Sequence, residues 1–220
     1  VPVVRLPCPV VSVGNVTVGG TGKTACVELI ARKLLARGER VAVLSRGYGG
    51  RSGPYVLRWD AGQLVVSGSP STGGTLADEP QLLARHLPGV PVLVGRRRDR
   101  TGQDAQRAFG ATALVLDDGF QHRRLYRDCD IVLIHARTPF DGWALLPRGP
   151  MREPLSSLRR AHVVIVTKAD EALSTLGALK ERLRSLNPQA AFVTAVHEPV
   201  ALCDAASGAT SPTTHLSGLR

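Results

Sequence analysis

Short apolar runs rich in β-branched residues recur along the chain: PVVSVG (9–14), RVAVLS (40–45), VPVLVG (90–95), ATALVLDD (111–118), DIVLIHA (130–136), HVVIVTK (162–168) and AAFVTAV (190–196). Near-continuous runs of this length lack the alternation of a half-solvated strand. They predict strands covered on both faces, as in a parallel sheet. Helical patterns lie between several of them. TACVELIARKLLARG (24–38) puts Val27, Ile30, Ala31, Leu34 and Leu35 on one stripe and ends at Gly38, a fitting C-cap. DEPQLLARHL, DRTGQDAQRAFG and EALSTLGALKERLRSL predict further helices. Strand–helix alternation predicts βαβ units and a doubly wound, mainly parallel α/β sheet. YVLRW and QLVVSG, joined by DAG, break the alternation and predict an inserted β-hairpin at about 55–67. The stretches 67–75 and 203–214 are polar and small, and predict loops.

With 220 residues, 43% hydrophobic and 21% charged, the chain suits one large folded domain or two small ones rather than a disordered or fibrous protein. Aromatic residues are only 4%, which argues against a carbohydrate-binding or base-stacking surface. Lys and Arg number 28 against 18 Asp and Glu, a formal charge of +10. Such an excess favours an anionic partner: a nucleotide, a nucleic acid or an anionic lipid surface. Cys8, Cys26, Cys129 and Cys203 form no CxxC pair, so reduced thiols are expected rather than a zinc site or a disulfide framework. The apolar start, VPVVRLPCPVVSVG, is too short to span a bilayer and lacks the layout of a signal peptide.

The strongest chemical signal is SVGNVTVGGTGKT (12–24), where a buried strand ends in a glycine-rich turn and Lys23-Thr24 opens an amphipathic helix. That is the context of a P-loop. Amides from Gly19 through Gly20, Thr21 and Gly22 to Lys23 would cradle phosphates, aided by the positive helix end. Lys23 would reach the β- and γ-phosphates, and the Thr24 hydroxyl would ligate Mg²⁺. The strict pattern wants glycine at position 17, where this chain has Thr17. In LVLDDGFQH (114–122), Asp117 and Asp118 end an apolar strand, the place of a Walker-B acid.

Other motifs carry two readings. Asp78-Glu79-Pro80 opens a helix, and on the residues alone Asp78 reads best as an N-cap with Pro80 in the first turn. In LLPRGPMREPLSSL (145–158), Glu153 suits a helix start through the dipole. Thr167-Lys168-Ala169-Asp170 resembles the base-reading element of P-loop GTPases, yet Asp117-Asp118-Gly119 is one residue short of the DxxG such enzymes carry. It is a base contact or a turn. Arg96-Arg97-Arg98 and Arg100 follow a strand, at the end that faces ligands in such sheets, so one of them meeting a phosphate stands against a merely solvated run. His122 alone is a weak signal.

VGNVTVGGTGKT, LSRGYGG, DEP, LVLDDGFQHRRL, LLPRGPMREPL and VTKAD, in this order, resemble the tetraacyldisaccharide 4′-kinases of lipid A biosynthesis, over about Val10 to Asp170. The resemblance implies an ATP-dependent kinase that passes the γ-phosphate to the 4′-hydroxyl of a disaccharide 1-phosphate bearing four acyl chains. It implies work at the cytoplasmic face of the Gram-negative inner membrane, as a peripheral protein, with ATP and Mg²⁺. By the same resemblance Asp78 is the catalytic base, against the capping reading, and Asp117 and Asp118 hold Mg²⁺. His122, Arg152 and Glu153 match positions that shape the nucleotide and metal site, Glu153 on the metal side.

The resemblance implies that family members carry an N-terminal apolar anchor helix and a C-terminal lobe, and neither is expected within these 220 residues. THLSGLR (214–220) resembles the approach to that lobe, and His215 does not match the lobe's histidine partner of the catalytic Asp. The expected layout is a P-loop kinase domain over 1–202 and a linker, or the start of the lobe, over 203–220. A form truncated at both ends is expected to be soluble and weakly active or inactive. The alternatives are a P-loop GTPase or metallochaperone-type NTPase, and a nucleotide-binding fragment without turnover. No recognition helix or aromatic-studded strand points to nucleic acid, and no protein partner is expected.

Overall fold

The computed structural model describes residues 2–47, 54–68, 75–137, 144–196, 198, 201–203 and 210–212. The YGG of LSRGYGG, most of the predicted 67–75 loop and THLSGLR with His215 lie outside the described residues.

Each apolar run forms a strand: β1 (Val10–Asn15), β2 (Val41–Ser45), β5 (Val92–Val94), β6 (Ala113–Asp117), β7 (Cys129–His135), β8 (Val163–Thr167) and β9 (Ala191–Ala195). These pair in parallel in the order β5-β2-β6-β1-β7-β8-β9. The hairpin β3 (Tyr55–Asp60) and β4 (Gln63–Gly68) joins antiparallel beyond β5, giving nine strands. Its two-residue turn takes positive φ at Ala61 (48°) and Gly62 (79°), the geometry that matches strand twist.

Successive residues of each inner strand serve opposite faces. Val41 and Val43 join Val13, Val27, Leu83 and Val115 in the core under α1 (Lys23–Leu35) and α2 (Asp78–His86). Ala42 and Leu44 join Leu114, Leu116 and Ala105 under α3 (Arg98–Phe109). On that second face, Val132, Ile134, Val164 and Val166 pack with Leu158 of a 3₁₀ turn (Leu155–Arg160) and Leu183 of α4 (Leu173–Leu186). The sheet is therefore covered on both sides, as continuous apolar strands require. The two edge strands, β4 and β9, are the solvated exceptions.

Several boundaries differ from expectation. The α1 helix ends at Leu35 with Ala36 as its C-cap, and Gly38 takes φ +83° in the turn that follows. A local turn ends the helix early: the Arg37, Gly38 and Glu39 amides fold back onto Leu34 and Leu35 carbonyls. The stretch 203–214 is not loop throughout, because β10 (Ala201–Cys203) pairs antiparallel with β11 (Thr210–Pro212). These strands are too short to show an apolar period, and β10 runs across the 202/203 boundary.

Candidate active site

The site is built at the carboxyl ends of β1, β6 and β2. Register puts Asp117 level with Val13, so the strand β1 runs two residues further before turning. The turn places Gly19 at φ +111° and Gly22 at φ +84°, and Gly22 caps α1. Added Cβ atoms at Gly19 and Gly20 would meet nothing within 4 Å, so the backbone there faces open space. The first turn of α1 holds no acid, leaving its positive end available to an anion. The Asn15 side-chain amide donates to the Thr21 hydroxyl at 3.1 Å and ties the loop at its base.

Thr17 needs no glycine. It is not among the described residues with positive φ, and its main chain bridges Met151 instead. Around that bridge the Val18 amide donates to the Pro150 carbonyl at 2.8 Å, and the Arg152 amide to the Val16 carbonyl at 2.8 Å. The PMRE segment is thus tied beside the P-loop through an isolated β-bridge at Met151.

Arg152 reaches from that segment to Asp118, with Nη1 at 2.6 and 2.8 Å from the two carboxylate oxygens. The same nitrogen donates to Gln121 Oε1 at 3.1 Å, and Gln121 Nε2 donates to the Asn15 carbonyl at 2.9 Å. Lys23 Nζ stands 3.8 Å from Asp118 Oδ1. P-loop, DDGFQ turn and PMRE segment are therefore linked through one carboxylate. Asp118 holds the left-handed φ of 51°, rare for a residue with a side chain. Gly119 makes that turn possible: a Cβ there would lie 2.7 Å from both Leu116 Cβ and Ser12 Oγ.

Asp117 is different. It is buried, and its Oδ2 accepts from the Ser45 hydroxyl at 3.0 Å. Burial, then the nearby Glu79 and Asp118 charges, push its pKa up to about 6, against the lowering effects of Ser45 and Lys23. A buried carboxylate short of positive charge, at the carboxyl end of β6, is a donor that suits Mg²⁺. Among the described residues no cluster of three or more His, Cys, Asp or Glu is placed to hold a metal. Magnesium needs none, since it takes much of its shell from phosphate and water.

The remaining expected residues are distributed around this centre. Asp78 is the first residue of α2, exposed, while Ala77 is the cap residue and no side-chain cap bond is made. The N-cap reading of Asp78 is thereby corrected. The entry to α2 is held instead by buried Tyr55, whose hydroxyl accepts from the Ala77 amide at 3.5 Å. Glu153 is taken by Arg160, whose Nη2 lies 3.1 and 2.8 Å from its oxygens and whose guanidinium covers the Phe120 ring at 4.4 Å. His122 has a buried Nε2 with no partner, and burial followed by the Arg98 charge lowers its pKa to about 4. Lys168 adopts φ 53° and pairs with Glu171 at 3.6 Å, so TKAD forms a tight turn into a 3₁₀ helix.

Ser45, Glu79 and Gln121 were not singled out from the sequence. Ser45 carries one usable signal, a polar residue closing an apolar strand. Glu79 acts through its charge on Asp117, and Gln121 through contacts with Asn15 and Arg152, which no local pattern encodes. Among the described residues no helix is long and apolar enough to cross a membrane.

A family model described as tetraacyldisaccharide-1-P 4′-kinase matches residues 1–219, beyond the Val10 to Asp170 span of the sequence resemblance. The chain is 46% identical over 225 residues to a tetraacyldisaccharide 4′-kinase of Syntrophus aciditrophicus (strain SB), covering 99% of this chain and 59% of that protein. With the enzyme of the same name from Anaeromyxobacter sp. (strain K) it shares 49% over 207 residues, 93% of this chain and 53% of that one. The crystal structure of LpxK from Aquifex aeolicus in complex with ATP matches at TM-score 0.65 and 39% identity, over 77% of this chain and 51% of that one. The YjiA GTPase from E. coli, at TM-score 0.50 and 18% identity over 90% of this chain and 60% of that one, shares the fold alone. The chain thus spans between half and three-fifths of the length of these kinases. On a match that runs from its first residue almost to its last, the chain belongs to the tetraacyldisaccharide-1-P 4′-kinase family.

Proposed function

We propose that the whole protein transfers the γ-phosphate of ATP to the 4′-hydroxyl of a tetraacylated disaccharide 1-phosphate, a step of lipid A biosynthesis. Residues 1–202 act as its nucleotide-binding kinase unit, and 203–220 lead toward the remainder of the protein. The observation that carries this reading is the linkage of P-loop Lys23 to the β6-end Asp118 and through it to Arg152. Family membership supplies the acceptor.

The amides of Gly19, Gly20, Thr21, Gly22 and Lys23 hold the nucleotide phosphates, and Lys23 stabilises the charge that grows on the γ-phosphoryl oxygens. Thr24 and Asp117 would hold Mg²⁺, with Asp118 and Glu153 as supporting carboxylates set by their arginines, and the ion would supply positive charge against the phosphates. Arg152 and His122 line the nucleotide end of the site. Asp78 takes the proton of the sugar hydroxyl as it attacks in line. The acceptor is a membrane lipid, so the protein works peripherally at the cytoplasmic face of the Gram-negative inner membrane, where its +10 charge favours anionic lipid.

The test is transfer of labelled γ-phosphate from ATP to the acylated disaccharide 1-phosphate by the full-length protein. Labelled lipid that disappears with Lys23→Ala supports the proposal. ATP turnover with no phosphate on the lipid would sink it.

A further inference from the structure

Ser45 ends β2, a strand otherwise made of Val41, Ala42, Val43 and Leu44. Leu44 lies level with Leu116 on the parallel neighbour β6, so Ser45 stands beside Asp117. Side chains alternate along both strands, and Val43 and Val115 belong to the core under α1 and α2. Ser45 and Asp117 therefore face that same side, the one covered by the helix that the P-loop opens. Both are buried, at 3% and 2% exposure. The main chain of Ser45 is held without its side chain: its carbonyl accepts from the Gly95 amide at 3.0 Å, and it is in register with Val94 of β5. The hydroxyl donates to Asp117 Oδ2 at 3.0 Å. Among the described residues Asp117 Oδ1 has no hydrogen-bond partner. Asp118 is held by two cations, Arg152 and Lys23. Ser45 instead fixes one oxygen of Asp117 and supplies no charge. Orientation and neutralisation are thereby separated at this carboxylate.

We propose that Ser45 is the positioning residue for Asp117: its hydroxyl fixes the carboxylate so that the second oxygen stays available to a divalent cation. Ser45 acts through Asp117 rather than on the reacting atoms. The inference rests on the reading of Asp117 as an acid that holds Mg²⁺. A hydrogen-bonding partner behind a metal ligand typically changes metal affinity ~10–100-fold when it is removed. A neutral donor suits this task, because a cation in its place would cancel the charge that the ion needs.

The experiment is titration of a fluorescent, non-hydrolysable ATP analogue into the full-length protein, with and without Mg²⁺, read beside the melting temperature. Ser45→Ala should weaken binding of the Mg²⁺-nucleotide ~10-fold or more. Metal-free nucleotide should bind within about two-fold of the parent, since the P-loop amides and Lys23 are untouched. Ser45→Cys keeps the shape of the side chain with only a weak donor, and should show the same selective loss if Ser45→Ala does not fold. In an Asp117→Asn background, Ser45→Ala should add less than about two-fold, because the carboxylate it served is gone. A purely structural serine would lower the melting temperature and weaken both nucleotide forms together. That pattern, or additive effects in the double variant, overturns the proposal. If Asp117→Asn leaves the Mg²⁺ preference intact, the metal reading of Asp117 falls and takes the proposal with it. If Asp117→Asn abolishes the preference while neither Ser45 variant reduces it, the proposal falls alone.

Discussion

Arg152 holds both oxygens of Asp118, at 2.6 and 2.8 Å, while the adjacent Asp117 has a hydroxyl for a partner and no bonded cation. Two neighbouring carboxylates thus have opposite electrostatic situations. One is neutralised by the protein; the other is left to be neutralised by something else.

The first expectation follows from that division. Asp117→Asn should weaken binding of Mg²⁺-ATP by ~10-fold or more and leave metal-free ATP nearly unchanged, since a lost charge–metal contact exceeds about 1.4 kcal/mol. Asp118→Asn should weaken both forms, because it releases Arg152 and Lys23 together. Fluorescent nucleotide titrations with and without Mg²⁺ read the difference. Matching profiles for the two variants would contradict the assignment.

The same site predicts a masked pH dependence. Asp117, with its pKa raised to about 6, holds a proton in the folded state that the unfolded chain gives up above its ordinary value, so its contribution falls as pH rises from about 4 to 6. His122, lowered to about 4, is neutral when folded and charged when unfolded over nearly the same range, so its contribution grows with pH. The two slopes oppose. Melting temperatures of the metal-free chain should be nearly flat between about pH 4 and 6, rise with pH in Asp117→Asn and fall with pH in His122→Gln. Parallel curves for all three proteins would refute it.

Lys23→Ala should abolish phosphoryl transfer in the full-length protein and weaken ATP binding, with circular dichroism unchanged. Lys23 sits at a helix start and its ion pair with Asp118 spans 3.8 Å, so the fold loses little. Retained turnover in a folded variant would remove the P-loop from the mechanism.

Asp78→Asn distinguishes a base from a structural residue. Asp78 is exposed and caps nothing, so the melting temperature should stay near that of the parent. As a base it should cost ~10²–10⁴-fold in turnover of the lipid acceptor, because an amide accepts no proton. Turnover within a few-fold of the parent would leave the base unidentified.

Packing behind the site gives a stability test. A Cβ at Gly14 would lie 2.6 Å from Phe120 Cβ and 2.8 Å from its amide, so Gly14→Ala should cost roughly 1–3 kcal/mol, or ~2–10 °C. Gly177, inside α4, has open space around its Cβ position. Gly177→Ala should therefore stabilise by ~0.5–1 kcal/mol. Thermal scans that rank the two in the reverse order would show that the DDGF turn yields more easily than its contacts indicate.

What the sequence made legible follows from what is local. Buried strands announce themselves as unbroken β-branched runs, and the hairpin announces itself by its Asp-Ala-Gly turn. The glycine turn was visible in spite of Thr17, because strand and helix flank it. Helix ends were less visible: Gly38 and Asp78 carry the right residue types, but the backbone closes at Ala36 and opens at Ala77. Of the site, the motif residues could be read, whereas their partners could not. Ser45 meets Asp117 across 72 positions, and Gln121 meets Asn15 across 106. Such pairings exist only once the sheet has set its strand order.

The link between the P-loop and the PMRE segment is made by main-chain atoms, Val18 to Pro150 and Arg152 to Val16. Side-chain change at exposed Val18 leaves its donor in place. The register between the two loops is thus insulated from ordinary mutation, and evolution is free to retune the rim of the site without losing its alignment. Proline at position 18 or 152 is the exception, because it deletes a donor. Sequence variation across relatives should therefore be broad at exposed Val18 in every residue but proline.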